Sequence, residues 1–432
     1  MTEIGIISIL VFIIIALMGA PIAFVMALVG FAGIVYMISF TGAMDVLARD
    51  FFVQFSGFSL TAVPMFVFMG EIAFAAGISE RLYAAGNKLF GQIKGGLAIA
   101  SIAACAGFAA ICGSTAATAA AMGSVAIPQM KKYGYKDSLS TGCVAAAGTL
   151  GILIPPSTTF IIYGIMTEQR IGKLFIAGIL PGLLLATLFS ITVLILCRLD
   201  SKLGPAGPKT TFMQKLLGLS GIMEAVIIFS LVIGGLFAGW FTPTQSGAAG
   251  AAAVLAVALV RKTITWKGFF EALKSTIAIT SFILCILAGG LVFGRLIALT
   301  QIPFAIGDWA TGLAISPIAV MGLIIIIHLI GGCFMDAFAL IVLTIPIFFP
   351  VVVALGFDPI WYGVAIVLMV EMAAITPPVG LNVYVIKGVA PDVPLGTIFK
   401  GIWPFVGALV VCTGLLVVFP QIATFLPQLM SY

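Results

Sequence analysis

Two stretches decide how this chain folds: Gly148-Thr149-Leu150-Gly151-Ile152-Leu153-Ile154-Pro155-Pro156-Ser157-Thr158-Thr159 and Glu371-Met372-Ala373-Ala374-Ile375-Thr376-Pro377-Pro378-Val379-Gly380-Leu381-Asn382. Each carries two consecutive prolines inside an apolar run. Proline has no amide donor and its ring collides with the preceding turn, so a Pro-Pro step stops a helix firmly. What surrounds these steps is hydrocarbon-like. Of 432 residues, 62% are hydrophobic and 8% charged, with a mean hydropathy of +1.28. A soluble domain carries roughly 25% charge. The composition therefore predicts an all-α polytopic membrane protein and excludes secreted, disordered and nucleic-acid-binding classes. The seven cysteines sit in apolar segments without metal-ligand spacing and read as small buried hydrophobes. The N-terminal apolar run follows only Met-Thr-Glu, which predicts a retained helix and not a signal peptide.

The apolar runs between the charge clusters predict ten crossings and two longer segments, 96–130 and 313–350. Both exceed the ~20 residues that one crossing needs. Cys112-Gly113-Ser114 and Gly331-Gly332-Cys333 interrupt them, so each reads as a re-entrant hairpin returning to the side it entered. With that assumption, 16 of the 20 lysines and arginines fall on one face, among them Arg81, Lys131, Lys132, Lys136, Lys209 and Arg261. By the positive-inside rule that face is cytoplasmic and both termini lie opposite. Trp240, Trp266, Trp309, Trp361 and Trp403 all fall at span ends, where an amphipathic ring prefers to sit.

The two Pro-Pro steps stand 222 residues apart, and so do Pro21 and Pro243, Pro128 and Pro350, and Gly134 and Gly356. Gly96-Leu97 matches Gly312-Leu313 at 216, so the register slips and recovers. This spacing predicts two repeats, 1–198 and 219–432, joined by a cytoplasmic linker 199–218. Each would hold five crossings, a hairpin (96–130 or 313–350) and a broken helix (138–165 or 360–386). An odd number of crossings inverts the second copy. Inverted repeats with interrupted helices mark secondary transporters, whose site lies near the midplane between the repeats.

A broken helix in a bilayer is tolerated where it is buried in protein or lines a cavity. Its free carbonyls suit a hard cation, and the amides of the following half-helix suit an anion. Hydroxyls stand at these places: Ser114 and Thr115 at the first tip, Ser157, Thr158 and Thr159 after the first Pro-Pro, and Thr376 before the second. Oxygen-only ligation without a carboxylate cage favours a monovalent cation over a transition metal. The expectation is two sodium sites, one per repeat, each pairing a tip with its Pro-Pro break, although the same hydroxyls also suit helix capping. Ser157, Thr158, Thr159 and Asn382 are placed to receive a substrate carboxylate. Among ionisable residues inside spans, Asp336 either caps the returning half-helix or binds ion or substrate, and Arg295 either meets a substrate carboxylate or snorkels. Glu71 and Glu371 read as structural partners of backbone donors in preference to proton carriers, and His328 as a buried ring held by a hydrogen bond.

The segment Phe68-Met-Gly-Glu-Ile-Ala-Phe-Ala-Ala-Gly77-Ile-Ser79-Glu80-Arg81-Leu82, the first Pro-Pro motif, and Gly356-Phe-Asp-Pro-Ile-Trp361-Tyr-Gly363 followed by Thr376-Pro-Pro-Val-Gly380 together resemble the large membrane subunit of TRAP (tripartite ATP-independent periplasmic) transporters. The resemblance covers essentially the whole chain. It implies an elevator-type carrier in a bacterial inner membrane. The expected partners are a small four-helix membrane subunit and a periplasmic solute-binding protein, and the expected cargo is an organic acid with sodium. It also implies one sodium site around Ser114, Gly151, Ile154 and Pro156, and another around Gly331, Gly332, Thr376 and Val379. Two positions depart from the pattern: Cys112 stands where a small hydroxyl residue is expected, and Ala373 where a glycine is. The alternatives are a stand-alone sodium/dicarboxylate symporter, then an ion channel. A membrane enzyme is disfavoured, because no His, Cys or carboxylate cluster at metal spacing and no glycine-rich nucleotide loop is present.

Overall fold

The computed structural model describes residues 2–207, 210–312 and 316–430; Lys209 and Leu313, used above for charge and repeat spacing, lie outside them. Among the described residues the regular structure is helical throughout. Seven helices are long and apolar enough to cross a membrane, and eight if the bent pair Asp137–Leu153 and Thr158–Thr167 counts as one span. Ten crossings were expected. The remaining apolar chain is divided among helices of 16 or 17 residues: Thr2–Leu17, Ile22–Met37, Gly96–Cys112, Pro317–Gly332 and Pro359–Ile375.

The interruptions follow local chemistry. In the first hairpin, Gly96–Cys112 ends at Gly113, whose φ of +65° is open to glycine at no steric cost. Ser114 then caps Thr115–Lys132, its hydroxyl accepting from the Ala117 amide at 3.4 Å. In the second hairpin, Pro317–Gly332 gives way to Asp336, which caps Ala337–Ala354 by accepting from the amides of Phe338 (2.9 Å) and Ala339 (3.2 Å). Each Pro-Pro step contains a cis bond, Pro155-Pro156 and Pro377-Pro378. The first step bends the helix pair by 41°, and Ser157 caps the continuation Thr158–Thr167.

Sequence reading missed two helices, Phe40–Phe55 and Ile78–Phe90. Both are amphipathic, with Asp45, Arg49 and Asp50 in one and Glu80, Arg81 and Lys88 in the other. A search for unbroken apolar runs treats such segments as loops, because charge interrupts them every turn.

The two parts of the chain interleave. Ile22–Met37 packs along Trp266–Leu299, and Ala62–Ala75 packs along Pro243–Val260. Deeper in, Asp137–Gly148 packs on Leu395–Val418, and Pro359–Ile375 on Ile171–Leu199. The second arm of each hairpin meets the half-helix beyond the other Pro-Pro step: Thr115–Lys132 meets Leu381–Val389, and Ala337–Ala354 meets Thr158–Thr167. Small residues make these crossings close, as expected where lipid supplies no hydrophobic drive between helices. A Cβ on Gly142 would lie 2.4 Å from the Gly401 carbonyl carbon, and one on Gly289 would lie 2.2 Å from the Ala23 oxygen. Trp361 is buried and donates its indole N–H to the Leu416 carbonyl at 2.9 Å.

Ion pairs hold the helix ends. Glu224, 6% exposed, joins Arg81 (2.9 Å) on the amphipathic helix to Arg261 (2.6 Å) after Pro243–Val260. Nearer the surface, Lys131 in the last turn of Thr115–Lys132 pairs with Asp392, and Lys136 pairs with Asp200 (2.8 Å); these hydrogen bonds hold both carboxyls below their usual range. Substituting Glu224→Gln removes the buried counter-charge shared by Arg81 and the half-exposed Arg261. The variant is expected to lose about 1–3 kcal/mol, read as a lower melting temperature in detergent. Lys267→Ala removes a pair whose members are 87% and 65% exposed, and should leave the melting temperature unchanged.

Candidate functional site

The first hairpin tip sits on the first Pro-Pro break. Thr158 donates to the Gly113 carbonyl from its hydroxyl at 2.9 Å and from its amide at 3.5 Å. A Cβ on Gly113 would lie 2.7 Å from the Pro156 carbonyl oxygen. On the other side of the tip, a Cβ on Gly151 would lie 2.5 Å from the Ser114 carbonyl oxygen and 2.8 Å from the Thr118 hydroxyl. Oxygens of Ser114 and Thr118 therefore converge on the Gly151 backbone, with the Pro156 carbonyl against the adjacent Gly113. The structure brings together Ser114, Gly151 and Pro156, which are separated by up to 42 residues. Ile154 ends the pre-break helix in extended backbone, and its side chain lies against Gly182.

Thr118 was missed. It is fully buried, and its hydroxyl has no hydrogen-bond partner among the described residues. It lies one turn beyond Ser114 and Thr115, on the side facing Gly151, and so supplies a side-chain oxygen next to the tip where Cys112 does not. Only its i+4 spacing from Ser114 could have pointed to it.

The second tip sits on the second break through a thiol. Cys333 Sγ lies 3.3 Å from the Pro377 carbonyl oxygen and 3.6 Å from Thr376 Oγ1, while also meeting the Leu329 carbonyl at 3.1 Å. Thr376 donates to the Ala373 carbonyl at 3.2 Å. A Cβ on Gly332 would approach Ala373 Cβ within 2.4 Å, so the alanine is accommodated by the glycine opposite it. Gly331 faces Leu340, and Val379 is 40% exposed at the rim. Cys333 was another omission from the expected site, although its place 221 residues after Cys112 is visible in the sequence.

Between the tips lies a cavity of about 520 Å³ lined by Glu71, Ser114, Thr115, Asp336 and Leu381, among others. Asp336 thus both caps a helix and faces this space. Glu71 and Asp336 give the cavity two carboxyl groups, and among the described residues no lysine or arginine lines it.

Other expected residues lie elsewhere or are engaged. Arg295 forms a two-point pair with Asp50, at 2.6 Å on both contacts, and lines a separate cleft with Arg49. The structure does not bring it to the central cavity. Thr115 donates its hydroxyl to Glu371 and so points across to the other part of the chain. Ser157 caps its half-helix by accepting from the Phe160 amide at 3.3 Å. Thr159 is fully buried with no hydroxyl partner among the described residues. Asn382 is likewise buried and donates to the Ala145 carbonyl at 3.1 Å. His328 is held inside the second hairpin by Ile324 O (2.8 Å) and Thr344 Oγ1 (3.0 Å).

Comparison with known proteins accounts for this layout. Residues 9–422 match the family model described as "Tripartite ATP-independent periplasmic transporter, DctM component". The chain is 36% identical over 383 residues to the C4-dicarboxylate TRAP transporter large permease protein of Pseudomonas aeruginosa, covering 88% of this chain and 89% of that one. It is 32% identical over 412 residues to the sialic acid TRAP transporter large permease protein of Vibrio cholerae, covering 95% of both. In three dimensions it is similar to the YdaH transporter of Alcanivorax borkumensis, with a TM-score of 0.65 at 14% identity over 88% of this chain and 89% of that one, which is a likeness of fold. The chain therefore belongs to the DctM family of TRAP transporter large permeases, and it is a multi-pass membrane transporter component, not an enzyme.

Proposed function

We propose that this chain is the sodium-coupled permease of a binding-protein-dependent importer of organic acids. It would work in a bacterial inner membrane with a small four-helix membrane subunit and a periplasmic solute-binding protein. The word "tripartite" in the family description and the carboxylate cargoes in the relatives' names support this reading. The observation that carries the sodium coupling is the convergence of the Ser114 carbonyl and the Thr118 hydroxyl on Gly151, a set of hard oxygens suited to a monovalent cation.

The acid cavity supports the same conclusion. Glu71 and Asp336 offer an organic anion no positive charge, so that charge must come from elsewhere: from cations at the tips and from the amides that open Thr115–Lys132 and Ala337–Ala354. A second cation is assigned to the Cys333, Thr376 and Pro377 seat. The two parts of the chain are read as inverted repeats with both termini on the periplasmic side, a reading supported by the reciprocal packing of each hairpin on the other part's half-helix. Translocation moves the loaded tips as one body in the manner of an elevator. An ion-free carrier holding an anion moves poorly, because uncompensated charge is costly in hydrocarbon.

In proteoliposomes containing all three components, replacing sodium by potassium should abolish uptake; undiminished uptake refutes the coupling. Gly151→Ala forces a methyl against the Ser114 carbonyl and should reduce uptake by on the order of tenfold or more, in line with the cost of overpacking. Gly322→Ala, which meets nothing within 4 Å, should transport like the unaltered chain. Equal uptake by the two variants would remove Gly151 from the site.

A further inference from the structure

The two helices that open at the central cavity are capped by residues of different charge. Ser114 caps Thr115–Lys132 and Asp336 caps Ala337–Ala354, and the two caps stand 222 residues apart, the spacing shared by the Pro-Pro steps. The difference decides what each helix end offers a solute. At the first tip the cap is a neutral hydroxyl, which accepts from the Ala117 amide. Thr115 and Ala116 line the cavity from the first turn of that helix, where geometry leaves amides without an intrahelical partner and the dipole is positive. At the second tip the cap is a carboxyl. Its Oδ1 takes the amides of both Phe338 and Ala339, so Asp336 offsets the positive end of its own helix.

Glu71 adds a second carboxyl from the helix Ala62–Ala75. Neither Glu71 nor Asp336 belongs to an ion pair among the described residues. Phe74, one turn after Glu71, joins Phe282 and Phe338 in the same lining. Carboxyls and aromatic rings together make a seat for an organic cation, because ring faces attract positive charge and carboxylates supply the counter-charge. The cavity is therefore bipolar, with open amides where Thr115–Lys132 begins and carboxyls on the walls made by Ala62–Ala75 and Ala337–Ala354. A dianion would satisfy the amides with one carboxylate and bring the other against Glu71 or Asp336. At about 520 Å³ the space suits a small solute.

We propose that the solute taken by this cavity is a zwitterion, a small acid that also carries an ammonium or amidinium group. Its carboxylate sits at the amides of Thr115 and Ala116, and its cationic group sits among Asp336, Glu71 and the phenylalanine rings. This names the class of organic acid within the reading given above and rests on that reading. The cargo brings part of its positive charge with it, in addition to what the tips supply. It also enters the membrane without net charge, where uncompensated charge is costly.

The test is equilibrium dialysis of the purified full-length chain in sodium, with radioactive glycine betaine and radioactive succinate as probes. The unlabelled competitor is tert-butylacetate, which keeps the shape and carboxylate of glycine betaine and lacks its positive charge. Glycine betaine should bind roughly tenfold more tightly than either tert-butylacetate or succinate. Equal affinities overturn the proposal, as they would if the carboxyls were neutral or held an inorganic cation. Succinate binding without glycine betaine binding overturns it too, and leaves the organic-acid carrier standing. Binding of neither removes the cavity as an acid site, and the wider reading of it falls as well. Asp336→Asn keeps a helix cap, since asparagine caps as well as aspartate, and removes the charge. In that variant the preference for glycine betaine over tert-butylacetate should vanish, whereas a carboxyl serving only as a cap would leave the ratio unchanged. Should Asp336→Asn not fold, Glu71→Gln decides the matter by the same ratio, and an unchanged preference counts against the proposal.

Discussion

A helix that breaks inside a membrane exposes carbonyls and amides that lipid cannot satisfy, and this requirement organises the molecule. Both Pro-Pro steps meet it in the same way, by receiving the tip of a helical hairpin. Thr158 bonds the Gly113 carbonyl at the first seat, and Cys333 bonds the Pro377 carbonyl at the second. Once the first tip is seated, the Ser114 carbonyl and the Thr118 hydroxyl face the Gly151 backbone across a space that only glycine leaves open, while at the second tip Gly332 makes room for the methyl of Ala373. A substituent on Gly151 would close the gap that a cation is proposed to fill.

The second consequence concerns the arrangement of the chain. A hairpin seated on its own break still presents its second arm to the outside, and each arm is covered by the half-helix that follows the other break. Neither part of the chain can complete its core alone. The contact between Thr115 and Glu371 crosses this boundary at its centre, 256 residues apart in sequence. The central cavity lies at the same boundary, lined by two carboxyl groups and, among the described residues, by no lysine or arginine.

The breaks were legible because their causes are local. Proline pairs, Gly113 beside Ser114, and Gly331-Gly332-Cys333 act on the helix that contains them, and the 222-residue spacing of the proline pairs is visible without any structure. What could not be read was partnership across the chain. Arg295 looked available for a carboxylate, yet Asp50, 245 residues away, takes both of its forward contacts. Glu224 gave no sign of joining Arg81 to Arg261. Thr118 and Cys333 lie beside residues that were singled out, but their oxygen and sulfur matter only because folding points them at Gly151 and Pro377. The amphipathic helices Phe40–Phe55 and Ile78–Phe90 escaped because their charges break the apolar run while leaving one face buried.

The central claim is that cations lock each tip onto its break, and Cys333 reports on it directly because its partly exposed thiol sits at the second seat. In a chain whose only remaining cysteine is Cys333, the rate of maleimide labelling can be followed in sodium and in potassium at equal ionic strength. The account requires that sodium slow the reaction and that potassium leave it fast. Identical rates in the two salts would contradict it.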